Sequence, residues 1–245
     1  MSRLSKSERV PLLSYVTDRR SLVPAYPNET LKILQQKIVA AAAAGVDWMQ
    51  IREKDLSGKE FSSITREAVQ AAASSLSGAA AKMPVSSKTV TAPELVPTRI
   101  LVNDRLDVAL AARAGGVHLG EKGVPPEEML RLLKSLRREE GFLIGVSCHS
   151  LETAKTAERG GADYLFFGPV FATPSKAAFG APQGIKRLTE VCRAVSIPTL
   201  AIGGITLENA VDCLSAGASG IAAIRLFQDA PDVAAAVSAL RKLSS

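Results

Sequence analysis

Short apolar runs alternate along the chain with longer segments of helical periodicity. Leu31, Leu34 and Ile38 recur at the spacing of one helix face, and Gly45 is typical of a residue that ends such a helix. The apolar runs predict strands over 12–17, 49–52, 99–103, 117–119, 143–147, 164–168, 198–202 and 220–224. The periodic segments predict helices over 31–44, 59–76, 106–114, 126–138, 151–159, 185–194, 207–215 and 232–243. This alternation predicts a parallel sheet covered by helices.

The number of strand–helix units favours one closed domain over 1–245. Eight units in 245 residues suit an α/β protein with a single (β/α)8 TIM barrel, which typically takes about 250 residues. An open doubly wound sheet is the rival fold. Its dinucleotide-binding form has a Gly-x-Gly-x-x-Gly turn after the first strand, where this chain has Thr17-Asp18-Arg19-Arg20. Segment 78–98 is rich in Ala, Ser, Thr, Pro and Lys without a clear period, so we predict a flexible loop there.

Composition argues against several classes of protein. The apolar fraction of 47% and the charged fraction of 22% are ordinary for a folded globular chain. The three cysteines lie far apart without a Cys-x-x-Cys pair, so we expect no disulfide framework or zinc cluster and a cytoplasmic location. No apolar run is long enough to predict a membrane span, and 1–10 lacks the apolar core of a signal peptide.

The net charge of +6, from 30 basic and 24 acidic residues, admits nucleic acid or anionic small molecules as partners. Single-stranded nucleic acid is usually bound by basic residues interleaved with exposed aromatic ones. Aromatic residues make up only 4% of this chain, and Trp48 and Phe166 fall within apolar strand patterns. Phosphorylated small molecules are therefore the expected partners. The oligomeric state stays open, with a homo-oligomer among the options.

Polar side chains follow the second predicted strand, at the end where barrels carry their active sites. Gln50, Arg52 and Lys54 have a spacing of two, which places them on one face of the strand. Cations directed into a barrel are costly unless they meet an anion. The plain alternative is a strand end that reaches solvent, with Glu53 as the partner of these cations. We favour an anion site because polar residues recur at other strand ends.

The third and fifth predicted strands also end in groups that can do chemistry. The carboxylate of Asp104 could hold a divalent metal or cap the helix that follows. Ser147 and His149 alternate onto one side of the fifth strand, and a histidine at a barrel strand end is an acid–base candidate. His118 lies inside the short fourth strand and is interpreted as a hydrogen-bonded core residue.

Two later loops have the composition of phosphate sites. The stretch Thr173-Pro-Ser175-Lys176 offers hydroxyls and a cation. Gly203-Gly204 precedes a predicted helix, and small residues let backbone N–H groups approach a phosphate at such a place. The loops after strands seven and eight are the usual phosphate site of this fold. The pattern thus predicts two anion sites, one cationic and one made of backbone.

The sequence resembles the thiamin phosphate synthase family, whose superfamily also contains the thiazole tautomerases. The matching stretches are Tyr15-Val-Thr-Asp18, Gln50-Ile-Arg52-Glu-Lys54, Val102-Asn-Asp104, Gly116-Val-His118-Leu-Gly120, Gly145-Val-Ser147-Cys-His149, Ala162-Asp-Tyr164, Gly168-Pro169, Thr173-Pro-Ser175-Lys176 and Ile202-Gly-Gly204-Ile205. They follow one another over almost the whole chain, and the family fold is a (β/α)8 barrel.

The resemblance implies a transferase that joins a pyrimidine methyl diphosphate to a thiazole phosphate and releases diphosphate. It also implies roles for the matching residues. Arg52, Lys54 and Lys176 are expected to bind the diphosphate, with Gln50 and Asn103 on either side of it and Asp104 as a Mg²⁺ ligand. Ser147, Thr173 and Ser175 are expected to donate hydrogen bonds, and His149 is an acid–base candidate. Gly203, Gly204 and the backbone near Ile224 are expected to hold the thiazole phosphate. The task of such residues is to stabilise the leaving diphosphate.

Two stretches depart from the family pattern. After Gly120 the family usually carries Gln-x-Asp, whose Asp is a second magnesium ligand, whereas this chain has Glu121-Lys122-Gly123. Glu121 could take over as ligand, or Lys122 could supply positive charge directly. The eighth strand usually ends in Ile-Ser and here ends in Ile224-Arg225. Arg225 could reach the thiazole phosphate, or it could cap the pocket and change the substrate.

These departures keep two alternatives open. A thiazole tautomerase would act by proton transfer on a thiazole carboxylate phosphate, with His149 as base and no metal. A non-catalytic relative would keep the phosphate site alone. The cations and amides at the ends of the second and third strands favour the synthase, because a tautomerase has no diphosphate to bind.

Overall fold

Eight parallel strands close into a barrel in the computed structural model, which describes residues 10–22, 29–81, 97–173 and 181–244. The strands follow one another in chain order: β1 Leu12–Val16, β2 Trp48–Ile51, β3 Arg99–Asn103, β4 Gly116–Leu119, β5 Leu143–Cys148, β6 Tyr164–Phe167, β7 Thr199–Ile202 and β8 Gly220–Ala223. The barrel closes where β1 pairs with β8, with Leu12 opposite Gly220. The predicted (β/α)8 barrel is confirmed.

Helices follow the strands on the outside of the barrel. They are α1 Thr30–Ala43, α2 Gly58–Ala81, α3 Leu106–Ala111, α4 Pro126–Ser135, α5 Leu151–Arg159, α6 Gly184–Ala194, α7 Ala210–Ser215, α8 Arg225–Gln228 and α9 Val233–Arg241. Within the described residues, no helix is long and apolar enough to cross a membrane.

The first residues of the segment predicted as a loop over 78–98 are helical. Residues 78–81 continue α2, so the helix boundary predicted at 76 was placed too early. At the other end, Thr98 is buried and its hydroxyl donates to the Val46 carbonyl oxygen at 2.7 Å, which anchors the entry to β3. Residues 82–96 lie outside the described part of the chain.

Two predicted helices end earlier than their periodicity indicated. The helix predicted over 126–138 ends at Ser135, and Arg137 has a φ of +52°. The helix predicted over 106–114 ends at Ala111, and Arg113 has a φ of +56°. A left-handed residue cannot continue an α-helix, and sequence periodicity carries no information on φ. The cations of Arg137 and Arg138 therefore lie beyond α4 rather than on it.

Side chains alternate between the barrel interior and the helix layer. On β6, Tyr164 and Phe166 belong to the interior cluster, whereas Leu165 and Phe167 pack in the larger cluster beneath the helices. This alternation follows from the period of two in a strand. The Tyr164 ring fills part of this interior and lies over Gly145 of the neighbouring strand. A Cβ at position 145 would lie 1.9 Å from Cζ of Tyr164.

Replacing Gly145 by alanine is expected to lower the free energy of unfolding by about 3 kcal/mol, because the added methyl group collides with a ring that has no room to move. Urea unfolding followed by far-UV circular dichroism measures the change. Gly58→Ala is the matched control, since its Cβ would meet only the end of the Arg105 side chain at 3.4 Å. Equal midpoints for Gly145→Ala and the wild type would contradict the packing described here.

Candidate active site

A chain of amides and one carboxylate runs across the ends of β2 and β3. Gln50 is only 2% exposed, and its Nε2 donates to Oδ1 of Asn103 at 2.9 Å. Nδ2 of Asn103 then donates to Oδ2 of Asp104 at 2.7 Å, and the Gly120 N–H donates to the other carboxylate oxygen at 3.0 Å. The exposed Asp104 carboxylate is thus held in place by two N–H donors.

The capping role considered for Asp104 is wrong. The N-cap of α3 is Arg105, which makes no side-chain capping hydrogen bond, and both Asp104 oxygens point to other partners. Asp104 itself has a φ of +57°, a conformation that Asp and Asn tolerate better than most residues. The turn therefore aims the carboxylate along the strand ends rather than at the helix.

The cations predicted after β2 are not neutralised by Glu53. Arg52 is half-buried and Lys54 is exposed, and within the described residues no carboxylate lies within 4.0 Å of either cation. Glu53 turns back into the protein, where it is 4% exposed and accepts from the Arg19 backbone N–H at 3.1 and 3.2 Å. Burial raises the pKa of Glu53. The cationic charge of Arg52 therefore stays available to an anion.

His118 lies beneath this site and is hydrogen-bonded through both ring nitrogens. Nδ1 lies 3.0 Å from the Tyr164 hydroxyl and Nε2 lies 2.9 Å from Oγ of Ser147. Burial, reinforced by the charge of Arg52, lowers the pKa of His118 to about 3. The interpretation of His118 as a hydrogen-bonded core residue is confirmed. Its partner Tyr164 was not singled out by the sequence, because an aromatic residue in an apolar run is typical of ordinary core.

His149 and Glu121 meet at the end of β5. The His149 backbone N–H donates to Oε2 of Glu121 at 2.8 Å. Nδ1 of His149 contacts the Gly168 carbonyl oxygen, which can only accept, so this nitrogen carries the proton of the neutral ring and Nε2 has the lone pair. The exposed Glu121 carboxylate therefore already supports the β5 end. Within the described residues, no cluster of three or more His, Cys, Asp or Glu side chains is arranged to hold a metal ion.

Position 123 faces the Asp104 carboxylate. A Cβ added to Gly123 would lie 3.7 Å from Oδ1 of Asp104 and 3.0 Å from the Gly120 carbonyl oxygen. Its backbone has no positive φ, so an ordinary side chain is compatible with the turn. The position at which the family pattern has a second acidic residue thus lies beside the first one.

The second predicted anion site is a cavity of 270 Å³ between the loops after β6, β7 and β8. Its walls include all four residues predicted for the thiazole phosphate and two threonines: Gly203, Gly204, Ile224, Arg225, Thr173 and Thr206. In the described part of the chain, the backbone N–H groups of Gly203, Gly204 and Ile205 donate to no backbone oxygen. These groups are available to an anion in the cavity.

Glycine is required at this turn for both conformation and space. Gly203 and Gly204 have φ values of +96° and +68°. A Cβ on Gly204 would lie 2.5 Å from the Ala172 carbonyl oxygen. Asn209 holds the turn from below, because its Nδ2 donates to the Gly204 carbonyl oxygen at 3.0 Å and its Oδ1 accepts from the Thr206 N–H at 2.8 Å.

Arg225 enters the cavity wall on α8, a four-residue helix that the sequence analysis did not predict. The buried Gln228 fastens this helix to the first strand. Its Oε1 accepts from the Tyr15 hydroxyl at 3.0 Å, and its Nε2 donates to the Asp18 carbonyl oxygen at 2.9 Å. A helix of one turn has too few residues for a periodic signal, which explains why the sequence pattern missed it.

The remaining predicted residues belong to the loop after β6. Thr173 contributes to the cavity wall. Ser175 and Lys176 lie outside the described residues. The structure thus brings the predicted set together on one face of the barrel, apart from these two residues.

Comparison with known proteins places the chain among enzymes of one activity. Residues 88–227 match a protein-family model described as thiamine monophosphate synthase. A thiamine-phosphate synthase from Coprothermobacter proteolyticus is 40% identical over 86% of this chain and 87% of its own length. One from Methanoculleus marisnigri is 41% identical over 82% and 83%. A solved thiamine phosphate pyrophosphorylase from Pyrococcus furiosus is 30% identical, with a TM-score of 0.73 over 98% of this chain and 96% of that one.

Proposed function

Because the chain belongs to the thiamine monophosphate synthase family and is a transferase, we propose that it joins a pyrimidine methyl diphosphate to a thiazole phosphate. The observation that supports this proposal is that two separate groups of candidate anion-binding residues lie on one face of the barrel. One includes the Arg52 cation, which has no ion-pair partner among the described residues, and the Asp104 carboxylate at the next strand end, and the other is the cavity lined by backbone N–H groups. A reaction between two phosphorylated substrates needs both.

The diphosphate lies over the ends of β2 and β3. The bond between the pyrimidine methyl carbon and the diphosphate oxygen breaks, and its electron pair leaves with the diphosphate. Arg52 and Lys54 stabilise the charge that grows on the leaving group, together with Lys176 and the hydroxyls of Thr173 and Ser175. Gln50 and Asn103 flank it as a rigid amide pair. The thiazole nitrogen then donates its electron pair to the methyl carbon and forms the new C–N bond.

The donor set suits one Mg²⁺ ion shared with the substrate. Mg²⁺ is usually held by one or two carboxylates together with substrate phosphates and water. Asp104 supplies one exposed carboxylate, and its two N–H donors fix its direction. Glu121 keeps one oxygen that accepts no described hydrogen bond, so it is the second candidate ligand. The ion would neutralise diphosphate charge, and the exposed Lys122 could add to that effect.

The thiazole phosphate occupies the 270 Å³ cavity. The N–H groups of Gly203 and Gly204 and the backbone near Ile224 bind its oxygens, and Arg225 adds a guanidinium to the same wall. This arrangement separates the two anions by chemistry. Side-chain cations and metal serve the group that leaves, and backbone donors serve the group that stays.

Gly204→Ala is expected to raise KM for the thiazole phosphate about tenfold while leaving KM for the pyrimidine diphosphate nearly unchanged. The new methyl group combines a strained φ with a collision against the Ala172 carbonyl oxygen, which displaces the phosphate-binding turn. Initial-rate kinetics with each substrate varied in turn measure the effect.

Gly45→Ala is the matched control for this turn. Gly45 has a φ of +78° with nothing within 4 Å of the added Cβ, and it lies at the opposite face of the barrel. Gly45→Ala therefore introduces a similar backbone strain but does not displace the turn that contains Gly204. A similar rise of both KM values in Gly204→Ala would oppose the assignment of the cavity.

The proposed activity is tested by incubating the purified chain with both substrates and Mg²⁺. We expect thiamin phosphate and diphosphate in equal amounts. Isomerisation of a thiazole carboxylate phosphate without any coupled product would favour the tautomerase instead. His149, the base which that reaction would use, is not among the residues that line the cavity. Binding of the phosphorylated thiazole without turnover of either kind would identify a non-catalytic relative.

A further inference from the structure

Three hydrogen-bonded side chains form a row inside the barrel that ends toward its active face. The row consists of Tyr164, His118 and Ser147, joined by contacts of 3.0 and 2.9 Å. Resting on the proposed function, we propose that Tyr164 and His118 are positioning residues that fix the Ser147 hydroxyl as a hydrogen-bond donor to the diphosphate. Neither Tyr164 nor His118 touches a substrate in this scheme.

The direction of the hydrogen bonds follows from the Tyr164 hydroxyl. Tyr164 is fully buried, and within the described residues Nδ1 of His118 is its hydrogen-bond partner. If Nδ1 carried the proton, it would donate to the phenol oxygen, and the phenolic proton would be left without an acceptor. An unsatisfied buried donor costs about 1–3 kcal/mol. The satisfied arrangement has Tyr164 donating to Nδ1.

The histidine tautomer then sets the role of Ser147. With Nδ1 as acceptor, the neutral imidazole carries its proton on Nε2 and donates to Oγ of Ser147. The Ser147 oxygen accepts this bond, so its own proton must point elsewhere. Ser147 is half-buried near the C-terminal end of β5, so part of this residue is accessible to solvent. Its O–H is available to an anionic oxygen, whereas the opposite tautomer would turn that proton toward His118.

The imidazole is held neutral by its surroundings. The His118 ring packs against Phe166 with ring centroids 4.3 Å apart and lies close enough to Arg52 to feel its charge. Within the described residues, no carboxylate lies within 4.0 Å of its nitrogens. A neutral ring has one donor and one acceptor, which is what a directional relay between two hydroxyls needs.

The barrel register builds this row. His118 lies opposite Gly145, and Gly145 lies opposite Tyr164. Because Gly145 has no side chain, the Tyr164 ring crosses it and reaches His118 on the strand beyond. Ser147 follows Gly145 by two residues on the same face of β5 and meets His118 from the active side.

The tautomer is measured by long-range ¹H–¹⁵N NMR of the labelled wild-type protein. The chain has only two histidines, so the His118 signals are identified by their loss in His118→Gln. We expect a protonated Nε2 and a bare Nδ1 in His118. A protonated Nδ1 would overturn the proposal, whatever the enzyme's activity.

A double-mutant cycle measures the energetic coupling between Tyr164 and Ser147. We expect Ser147→Ala to lower kcat about 100-fold, as for loss of one donor to developing charge, and Tyr164→Phe to lower it about tenfold. The double variant should be no slower than Ser147→Ala alone, because the relay has nothing left to orient. Multiplied losses in the double variant would mean that Tyr164 acts only by packing and would refute the relay.

The same double-mutant cycle can be measured without turnover, by using calorimetry to determine how tightly each variant binds inorganic diphosphate with Mg²⁺. If the wild type binds diphosphate but forms no product, the proposed function is wrong, but this cycle still tests whether Tyr164 and His118 position Ser147. His118→Gln, which keeps a donor and an acceptor, should retain more activity and diphosphate affinity than His118→Leu. This pair also covers the case in which Tyr164→Phe does not fold. Equal losses in the two His118 variants would count against the relay.

Discussion

Arg52→Ala is expected to lower kcat about 1000-fold, the largest loss expected for any substitution described here. Arg52 is a half-buried cation without a carboxylate partner in the described residues, and in our proposal it stabilises the charge that grows on the leaving diphosphate. A charged donor acts most strongly where water is excluded and charge develops in the transition state. KM for the pyrimidine diphosphate should rise as well, and KM for the thiazole phosphate should stay within about twofold. Steady-state kinetics with each substrate varied separately measure these constants.

Arg131→Ala is the matched control for this loss of a cation. Arg131 lies exposed on α4, outside the barrel, so its removal changes the net charge by the same amount. The control should keep wild-type kinetics. Thermal unfolding of Arg52→Ala should stay close to that of the wild type, because the removed guanidinium makes no described ion pair. If kcat falls only a few fold, or if both KM values rise together, Arg52 does not serve the leaving group.

Asp104→Asn is expected to raise the Mg²⁺ concentration for half-maximal activity at least about tenfold and to lower the maximal rate about 100-fold. Asparagine suits the test because it tolerates the φ of +57° and keeps an oxygen for the Gly120 N–H. The substitution therefore removes the charge with little change to the backbone. Magnesium titrations of initial rate at saturating substrates provide the measurement. An unchanged titration curve would remove Asp104 from the metal site.

Gly123→Asp is the complementary variant. The new Cβ would lie 3.7 Å from Oδ1 of Asp104, so a second carboxylate would stand beside the first. We expect a lower Mg²⁺ requirement than in the wild type. The Gly120 carbonyl oxygen at 3.0 Å makes the position tight, so thermal unfolding should show a small loss of stability. Gly123→Asn, which brings the same bulk without the charge, should not change the Mg²⁺ requirement.

Much of the fold was predictable because local patterns and global architecture agree. The alternation of apolar runs and periodic segments located all eight strands to within about two residues, and parallel strands joined by helices have few ways to close. The errors were local. Arg113 and Arg137 adopt left-handed conformations just beyond their helices, and α8 is too short to show a period. Sequence periodicity reports which face is buried, not the backbone angle of one residue.

The sequence predicted which polar residues lie at the same end of the barrel, but it did not predict their hydrogen-bond partners. Spacing alone placed Arg52 at a strand end, and the twin glycines at 203 and 204 marked the backbone site. The true partner of Glu53 was not predictable, because its carboxylate accepts from the Arg19 backbone N–H, 34 residues away in sequence. Tyr164 was passed over because the apolar pattern around it is that of ordinary core.

The sequence by itself predicted the barrel, marked the residues of two candidate anion sites and indicated two stretches that differ from the family pattern. These depend on side-chain period and on residue type, which are local properties. Tertiary structure alone decided which groups are neutralised, oriented or left free. Tyr164 meets His118 across 46 residues, and Gln228 meets Tyr15 across 213. Such pairs come together only when the barrel closes, because the register between strands sets their distance and burial penalises a donor that is left without an acceptor.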